Sequence, residues 1–335
     1  MLKCTNMNNE YKSNYIRTKM VKISEKQVLI SRLKGSLQED DITLPVNCNG
    51  FGRIRHFRIC EYRDWMCNPL PNLPAAKALN IEPEPVLKTQ VFQIAGCNWD
   101  CWYCFVDDDL KKCDPLRSKW FTTDELIDLL LKEKEVPKVI DLSGGQPDLV
   151  PEWIFWMMKS LEEHEMGEKI YLWSDDNLST FFYWKYLTHE QRKYMSNYKN
   201  YGKVCCFKGY DKKSFKFNTL ANEKQFDMQF EVFSNLLSEN LDLYAYVTFT
   251  APKNSDYKRS MAKFIDNLQN IHDKLPLRTV PLKIVDYIPT SHRLTKTHKE
   301  ALSFQHILLG TWMQELHERY TAKELETPIC DISLF

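Results

Sequence analysis

The sequence lacks a long apolar run. Its first twenty residues contain no segment that resembles the core of a signal peptide, and no stretch approaches the roughly 18 apolar residues that a membrane-spanning helix needs. We therefore expect a cytoplasmic protein without a membrane partner, in which thiols stay reduced. In that setting the 11 cysteines are more typical of metal ligands or small buried side chains than of disulfides, and their odd number favours the same interpretation.

The sequence also lacks an excess of either charge. It has 45 Lys+Arg and 45 Asp+Glu, so no overall attraction to nucleic acid or to an anionic membrane is expected. It has no internal repeat, and its only low-complexity tract is the acidic DDD at 107–109. Hydrophobic residues make up 43% of the 335 positions, which is enough for one large domain with an appendage or for two domains.

From about residue 88, short β-rich runs alternate with helical patterns. The runs lie at 89–95, 138–143, 169–174, 203–207, 243–250 and 282–287. Helical patterns fit 122–134, 151–165, 223–239, 256–273 and 296–320. Six such units predict an α/β fold with a parallel sheet, either an open partial (β/α)6 barrel or a doubly wound sheet. In both architectures ligands bind at the carboxyl ends of the strands.

The flanks of this region are less regular. Residues 1–20 are polar and are expected to fray. Residues 21–85 are expected to be irregular, because their proline-dense end cannot form a continuous helix or a central strand. We therefore divide the chain into an N-terminal extension at 1–84, a core at 85–290 and a C-terminal helical segment at 291–335.

A compact cysteine motif follows the first β-rich run. The segment GCNWDCWYCF places Cys97, Cys101 and Cys104 at C-x3-C-x2-C spacing. Thiolates are the ligands that iron–sulfur clusters prefer, and three of them would leave one iron of a [4Fe–4S] cluster open to a substrate. A structural zinc site is the alternative, and it would need a fourth ligand such as Cys113 or a distant His.

This spacing, with the aromatic Tyr103 directly before the last cysteine, resembles the signature of the radical S-adenosylmethionine (SAM) superfamily. The resemblance implies a radical SAM barrel in which the open iron chelates the amino and carboxylate groups of SAM. It also implies that an electron from the cluster cleaves SAM to methionine and a 5′-deoxyadenosyl radical, which abstracts hydrogen from a substrate. An electron donor such as flavodoxin or ferredoxin is expected as a partner.

A glycine pair follows the second run. Gly144, Gly145, Gln146 and Pro147 resemble the GGEP element of that superfamily, whose backbone groups bind the amino group of SAM. Glycines allow the backbone to approach a ligand closely. Gln146 replaces the usual acid, and it keeps an acceptor oxygen without the charge. A plain strand-to-helix turn is the alternative interpretation.

Polar residues also follow the third and fourth runs. Asp175, Asp176 and Asn177 are candidates to bind ribose hydroxyls or a cation beside the SAM carboxylate, or to cap the next helix. Lys208 is a candidate contact of the SAM carboxylate or the substrate, or else a solvated loop lysine. These segments resemble the DTNG and DLK elements of glycyl-radical-enzyme activases, although Cys206 stands where those proteins often have Asp.

The N-terminal extension contains three further cysteines. Cys48, Cys60 and Cys67 match no cluster spacing, so buried or incidental cysteines are preferred to an auxiliary cluster.

The same extension carries a basic segment, GRIRHFRICEYR. Its arginines are Arg53, Arg55, Arg58 and Arg63, and their alternation suits an exposed strand. A solvated face is preferred to a phosphate or RNA site.

We therefore predict an activase-like radical SAM enzyme that abstracts hydrogen from an unidentified substrate, with a protein or peptide preferred. Two other classes remain open. One is radical SAM modification of a nucleotide or nucleic acid, which is favoured if the basic segment faces the cluster. The other is a non-catalytic iron–sulfur or zinc module that senses or transfers electrons.

Overall fold

The computed structural model describes residues 9–335, and its main feature is a seven-stranded sheet interleaved with helices. In chain order, strands β1 to β10 span Val21–Lys22, Gln27–Ser31, Gly52–Phe57, Leu87–Gln93, Ser118–Phe121, Val139–Ser143, Tyr171–Asp176, Tyr201–Phe207, Leu243–Thr248 and Thr279–Leu282. Helices α1 to α12 span Asn9–Thr18, Asn72–Leu79, Thr123–Leu131, Pro151–Glu163, Phe182–Tyr186, His189–Asn197, Lys212–Thr219, Gln225–Ser238, Tyr257–Gln269, Ile288–Ser291, Lys296–Arg319 and Ala322–Leu325. None of the described helices is both long and apolar enough to cross a bilayer. The predicted α/β fold is confirmed.

The strands of the main sheet follow the order β10-β9-β8-β7-β6-β4-β3. Neighbours from β10 to β4 pair in parallel, whereas β3 pairs antiparallel with β4. The order of the parallel strands never reverses, as it does in a doubly wound sheet. The doubly wound alternative is therefore wrong. A small antiparallel sheet, β1-β2-β5, lies beside the main one.

The main sheet is strongly curled. Arg55 lies on β3 and Tyr246 on β9, five strand spacings apart, which would separate them by about 24 Å in a flat sheet. Each side chain nevertheless influences the pKa of the other. Asn68, in the segment after β3, also donates a hydrogen bond to the Tyr246 hydroxyl at 3.1 Å. One face of the sheet is therefore an interior.

Both faces of the main sheet are buried. The interior face carries a cluster that includes Phe57, Val139, Trp173, Val204 and Tyr244. The outer face packs with the helices into the largest hydrophobic core of the molecule. Burial on two sides explains why these strands read as nearly continuous apolar runs in the sequence.

Most predicted elements are present with small shifts at their ends. The helix α3 begins with a capping box formed by Thr122 and Glu125, as predicted. The sixth predicted strand, at 282–287, is wrong in position, because β10 ends at Leu282. Beyond it, the backbone N–H of Ile284 donates to the side chain of Gln305 rather than to a neighbouring strand.

Two predictions for the N-terminal extension are wrong. Residues from Asn9 onward do not fray, because α1 forms and Arg17 makes a buried ion pair with Glu152. Residues 1–8 lie outside the described part of the chain. The stretch 21–85 is not irregular, since it supplies β1, β2, β3 and α2.

Cys60 and Cys67 form a disulfide, contrary to the prediction that the cysteines act only as ligands or buried side chains. Both residues lie in the exposed segment that follows β3. The auxiliary cluster considered for Cys48, Cys60 and Cys67 is therefore not supported, because two of its three thiols are bonded to each other.

Candidate functional site

The predicted cysteine motif lies on a loop, residues 96–104, that follows β4 at the carboxyl-terminal edge of the sheet. We call it the cysteine loop. The N–H of Cys97 donates to the carbonyl oxygen of Lys111 at 3.2 Å, and the N–H of Gln146 donates to that of Gly96 at 2.8 Å. These bonds tie the start of the loop to the segment before β5 and to the end of β6.

Among the described cysteines, Cys97, Cys101 and Cys104 are free thiols. Burial raises the pKa of Cys101 to about 12, although Lys208 opposes this shift. Burial likewise raises the pKa of Cys97. Cys104 adds to both shifts, so the three thiols lie within electrostatic range of one another. Buried thiols that resist ionisation become good ligands once a cationic metal centre compensates the charge.

The geometry argues against a site for a single ion. Within residues 9–335, no three His, Cys, Asp or Glu side chains converge closely enough to hold one metal ion. Cys113, the predicted fourth zinc ligand, lies against Gly96, with Lys19 as its charged neighbour. A [4Fe–4S] cluster binds each thiolate through a different iron, so its ligands need not meet at one point. The three thiols on one loop are compatible with a cluster that leaves one iron open, and within the described residues no fourth side chain joins them as tetrahedral zinc would require.

Gly144 and Gly145, at the end of β6, have positive φ angles of 62° and 54°. A Cβ atom on Gly145 would lie 2.4 Å from the carbonyl oxygens of Ile94 and Gly96. Only glycine therefore allows this turn to pack against the cysteine loop. Pro147 then begins a short 3-10 helix. The sequence predicted that the glycine pair lets the backbone approach a ligand closely. In the structure the backbone of Gly145 instead approaches the backbone of Ile94 and Gly96.

The buried side chain of Gln146 joins the ends of β6 and β7. Its Nε2 donates to Asp176 Oδ1 at 2.8 Å, and its Oε1 accepts from the N–H of Asn177 at 3.0 Å. Asp176 also accepts from the N–H of Leu178. Because α5 begins only at Phe182, Asp176 closes a turn and does not cap a helix. A neutral amide suits Gln146, since it must both donate and accept.

Asn177 and Asp175 bring further polar atoms to this edge. Asn177 Nδ2 donates to Asn98 Oδ1 at 3.1 Å and lies 4.0 Å from Cys97 Sγ. Its Oδ1 is buried and has no hydrogen-bond partner in the described chain. Asp175 is partly exposed and accepts from Ser143 Oγ at 2.6 Å. An orphaned acceptor beside the cysteine loop fits a ligand that donates to it.

Lys208 follows β8 and lies beside the cysteine loop. Burial opposes the charge on its ammonium group, but Cys206, Tyr103 and Cys101 outweigh this effect and raise the pKa of Lys208 well above its ordinary value. The side chain is therefore a cation next to the thiols. Lys208 is partly exposed, so the predicted SAM or substrate contact and the alternative of a solvated loop lysine both stay open.

Three further residues lie beside the cysteine loop. Lys111 is 8% exposed, and Cys104 is one of the groups that raise its pKa against the effect of burial. Arg293 donates to the carbonyl oxygen of Cys104 at 2.7 Å from 189 residues away. The ring of His298 stacks on Trp102 with 4.4 Å between centroids. No local pattern places Arg293 or His298 next to the cysteine loop, whereas Lys111 lies two residues after the acidic tract at 107–109.

The basic segment predicted as an exposed strand contains β3, and two of its arginines face the interior. Arg53 is 8% exposed, and Arg55 Nη1 lies 3.8 Å from Asp141 Oδ2. Arg58 and Arg63 lie beyond the strand and are exposed. The prediction of one solvated face is therefore wrong, because alternation along β3 directs Arg53 and Arg55 inward together.

No known sequence family matches the chain, and no curated protein does so either. Among solved structures, the chain is similar to Streptococcus suis SuiB bound to S-adenosylmethionine, with 13% identity, 73% of this chain and 52% of that chain covered, and a TM-score of 0.46. It is also similar to SuiB bound to the precursor peptide SuiA, with 15% identity, coverage of 53% and 36%, and a TM-score of 0.38. A third is polyhistidine-tagged anSMEcpe with bound AdoMet, with 15% identity, coverage of 57% and 48%, and a TM-score of 0.38. The chain thus spans between about a third and a half of these proteins. Such likeness concerns the fold alone and assigns no family.

Proposed function

We propose that the protein is a radical SAM enzyme that holds a [4Fe–4S] cluster on Cys97, Cys101 and Cys104. One observation carries the proposal: three free, mutually interacting thiols share one loop at the carboxyl edge of the first parallel strand. Lys111 and Lys208 lie beside them and would compensate part of the charge of the bound thiolates. Three ligands leave one iron open for SAM.

In this proposal the strand ends next to the cysteine loop hold SAM. Asn177 supplies an orphaned buried acceptor, Asp175 a partly exposed carboxylate, and Lys208 a cation for the SAM carboxylate. Gly144 and Gly145 shape the backbone at this position. Gln146 positions its neighbours through Asp176 and Asn177, and Pro147 continues the turn.

When bound, the cluster would supply the electron that cleaves SAM to methionine and a 5′-deoxyadenosyl radical, which takes hydrogen from the substrate. The chain itself excludes water with aromatic side chains on the loop. Trp99, Trp102 and Tyr103 are buried, and the Tyr103 hydroxyl lies 3.1 Å from Thr248 Oγ1. Arg293 holds the loop backbone from the outside.

The finer features follow from the same proposal. The curled sheet is proposed as an open (β/α)6 radical SAM barrel at 85–290, with the extension at 1–84 and the helical segment at 291–335 as its additions. The motif order favours an activase-like member, with flavodoxin or ferredoxin as electron donor in the cytoplasm. The cysteine loop does not choose among a peptide, a protein and a nucleotide as substrate.

Anaerobic reconstitution tests the proposal. The wild-type chain should bind about four irons, give a reduced-cluster EPR spectrum that changes on adding SAM, and release 5′-deoxyadenosine with dithionite. Cys101→Ala should lose the iron and the SAM cleavage while its circular dichroism stays native.

Cys113→Ala is the matched control. It removes a partly buried thiol near the start of the same loop, and it should keep both iron and SAM cleavage. Stable zinc in the wild-type chain, lost in Cys113→Ala, would mean that four side chains hold a single ion and would reject the enzyme in favour of a metal module.

A further inference from the structure

A group of charged side chains lies on the interior face of the curled sheet. Arg53 pairs in register with Val91, which pairs with Asp141, so their side chains lie on one face. Arg55 lies two residues after Arg53 on β3 and therefore shares this face. Asp141 pairs with Trp173, two residues before Asp175, so Asp175 shares it as well. We call Arg53, Arg55, Asp141 and Asp175 the interior charge cluster.

The interior charge cluster has hydrogen bonds left unmade. Asp141 is 0% exposed, and neither carboxylate oxygen has a hydrogen-bond partner within residues 9–335. The 3.8 Å from Arg55 Nη1 to Asp141 Oδ2 exceeds hydrogen-bond distance. The nearby hydroxyl of Thr89 is also buried without a partner in the described chain. Because buried polar groups are nearly always hydrogen-bonded, this set indicates a place for a ligand.

The interior charge cluster connects to the proposed cofactor site. Arg55 and Asp175 both influence the pKa of Cys206. Asp175 pairs with Val204, so Cys206 lies on the same face of β8, two residues before Lys208, which lies beside the cysteine loop. The Arg55 side chain is 37% exposed, so part of the interior charge cluster is accessible to solvent.

Charge balance restricts which ligands the interior charge cluster can bind. Two arginines face two aspartates, so a ligand with one net charge would leave an uncompensated charge in a largely buried site. A nucleotide phosphate would bring its negative charge next to the aspartates. A peptide end carries only one of the two charges. Burial and Asp175 raise the pKa of Asp141 well above its ordinary value against the opposing effect of Arg55, and a cationic donor would relieve this penalty.

We infer that the interior charge cluster binds an α-amino acid group, with its carboxylate against the two arginines and its ammonium against the two aspartates. Guanidinium groups bind carboxylates through paired hydrogen bonds, and the group as a whole is neutral. The inference rests on the proposed function, since it identifies the substrate class of the same enzyme as a free amino acid or a metabolite with that group.

A stability measurement tests whether Asp141 is kept for a ligand. Asp141→Asn removes a buried carboxylate that has no hydrogen-bond partner in the described chain and only a long ion pair with Arg55, so the melting temperature should rise by about 1–3 °C. Asp148→Asn is the matched control, because Asp148 is equally buried but pairs with Lys203 at 2.5 Å, and its replacement should lower the melting temperature. A similar loss in both variants would make Asp141 a structural residue and reject the inference.

A binding measurement tests the ligand class. The cluster-free protein is titrated with each of the 20 L-amino acids, and with the N-acetyl and amide derivatives of any that bind. At least one amino acid should bind, and either derivative should weaken binding by about tenfold or more, as should Arg55→Gln or Asp141→Asn. Binding of none, or preferential binding of a nucleoside monophosphate or a peptide, overturns the inference.

Titration with SAM separates this inference from the proposed function. Suppose that SAM binds the protein without its iron–sulfur cluster and that Arg55→Gln abolishes this binding. The interior charge cluster would then bind the cofactor, and the inference would fail. The Cys101→Ala result would still decide whether the protein is a radical SAM enzyme. Iron content and the SAM-dependent EPR change should be the same in Arg55→Gln and the wild-type protein.

Discussion

Gly145 leaves almost no space between the end of β6 and the cysteine loop. Its positive φ angle and the two carbonyl oxygens that face it make the loop position depend on the absence of one carbon atom. The glycine pair is recognisable in the sequence, but the partner it packs against is not, because that contact forms only when β4 and β6 pair.

Gly145→Ala should displace the cysteine loop, because the new Cβ atom would clash with the carbonyl oxygens of Ile94 and Gly96. We expect loss of most bound iron and a decrease of about 2 kcal/mol or more in the free energy of unfolding, measured by iron assay and urea denaturation. The control is Gly310→Ala in α11, where a Cβ would meet no atom of the described chain within 4 Å. That change should stabilise by up to about 1 kcal/mol. Normal iron content in Gly145→Ala would contradict the packing role.

Asp108 is a second residue that contacts a distant part of the chain. Its carboxylate lies 3.0 Å from Lys111 Nζ, 3.1 Å from His292 Nε2 and 3.1 Å from Arg293 Nη2. Burial opposes its ionisation, but the hydrogen bond and charge of Lys111, with His292 and Arg293, hold the pKa of this carboxyl well below its usual range.

Asp108→Asn should therefore destabilise the protein at pH 7 by about 1 kcal/mol, since the carboxylate is 34% exposed and partly screened. A depressed carboxyl pKa contributes stability that is present above about pH 4 and is lost as the pH falls toward the folded-state value. The difference from wild type in urea denaturation should thus shrink between about pH 4 and pH 2. Asp109→Asn, at a carboxylate that is 66% exposed, should change stability by less than about 0.5 kcal/mol. A difference that stays constant into acid would rule out the ionic contribution.

At the scale of elements, the sequence correctly predicted those features whose contacts lie within a single helix or strand. The Thr122 capping box and the long α11 are present as predicted. The run at 282–287 failed because Gln305, from α11, accepts from the N–H of Ile284 and donates to its carbonyl oxygen. A side chain thereby replaces a strand partner, and no pattern within the run reveals this.

The segment before α11 fastens the cysteine loop. Arg293→Gln should shorten the time for which the protein retains its iron under a chelator by about tenfold, because the bonds to the carbonyl oxygens of Cys104 and Val106 are lost. Arg319→Gln is the control, since Arg319 joins α11 to Asp266 on α9. It should lower stability without speeding iron loss from the folded protein. Equal iron retention in the two variants would exclude a role for Arg293 in holding the loop.

At the scale of the whole molecule, the alternation of strands and helices predicted the parallel sheet but left a curved partial barrel and a doubly wound sheet open, and only the resemblance to the radical SAM superfamily implied the barrel. Curling brings β9 next to β3 and the segment that follows it, as in the contact of Asn68 with Tyr246, which joins residues 178 positions apart. The interior position of Arg53 and Arg55 was missed for the same reason, because alternating arginines suit an exposed strand unless another sheet edge folds over them. The closeness of Cys97, Cys101 and Cys104 was predictable because they occupy one short loop, and their role as cluster ligands stays a prediction.

The segment after β3 also connects the two ends of the main sheet. Trp65 donates from Nε1 to the carbonyl oxygen of Pro281 on β10 at 2.9 Å, and Asn68 reaches β9, so this segment spans the two ends of the sheet order. Buried rings such as Trp173 and Tyr244 fill the interior toward the amino ends of the strands. Asp175, one residue before the carboxyl end of β7, is partly exposed, so the interior face is accessible to solvent near the edge that carries the cysteine loop. In the proposed enzyme a substrate that enters at this edge would therefore have to bind before SAM, because bound SAM would cover the entrance.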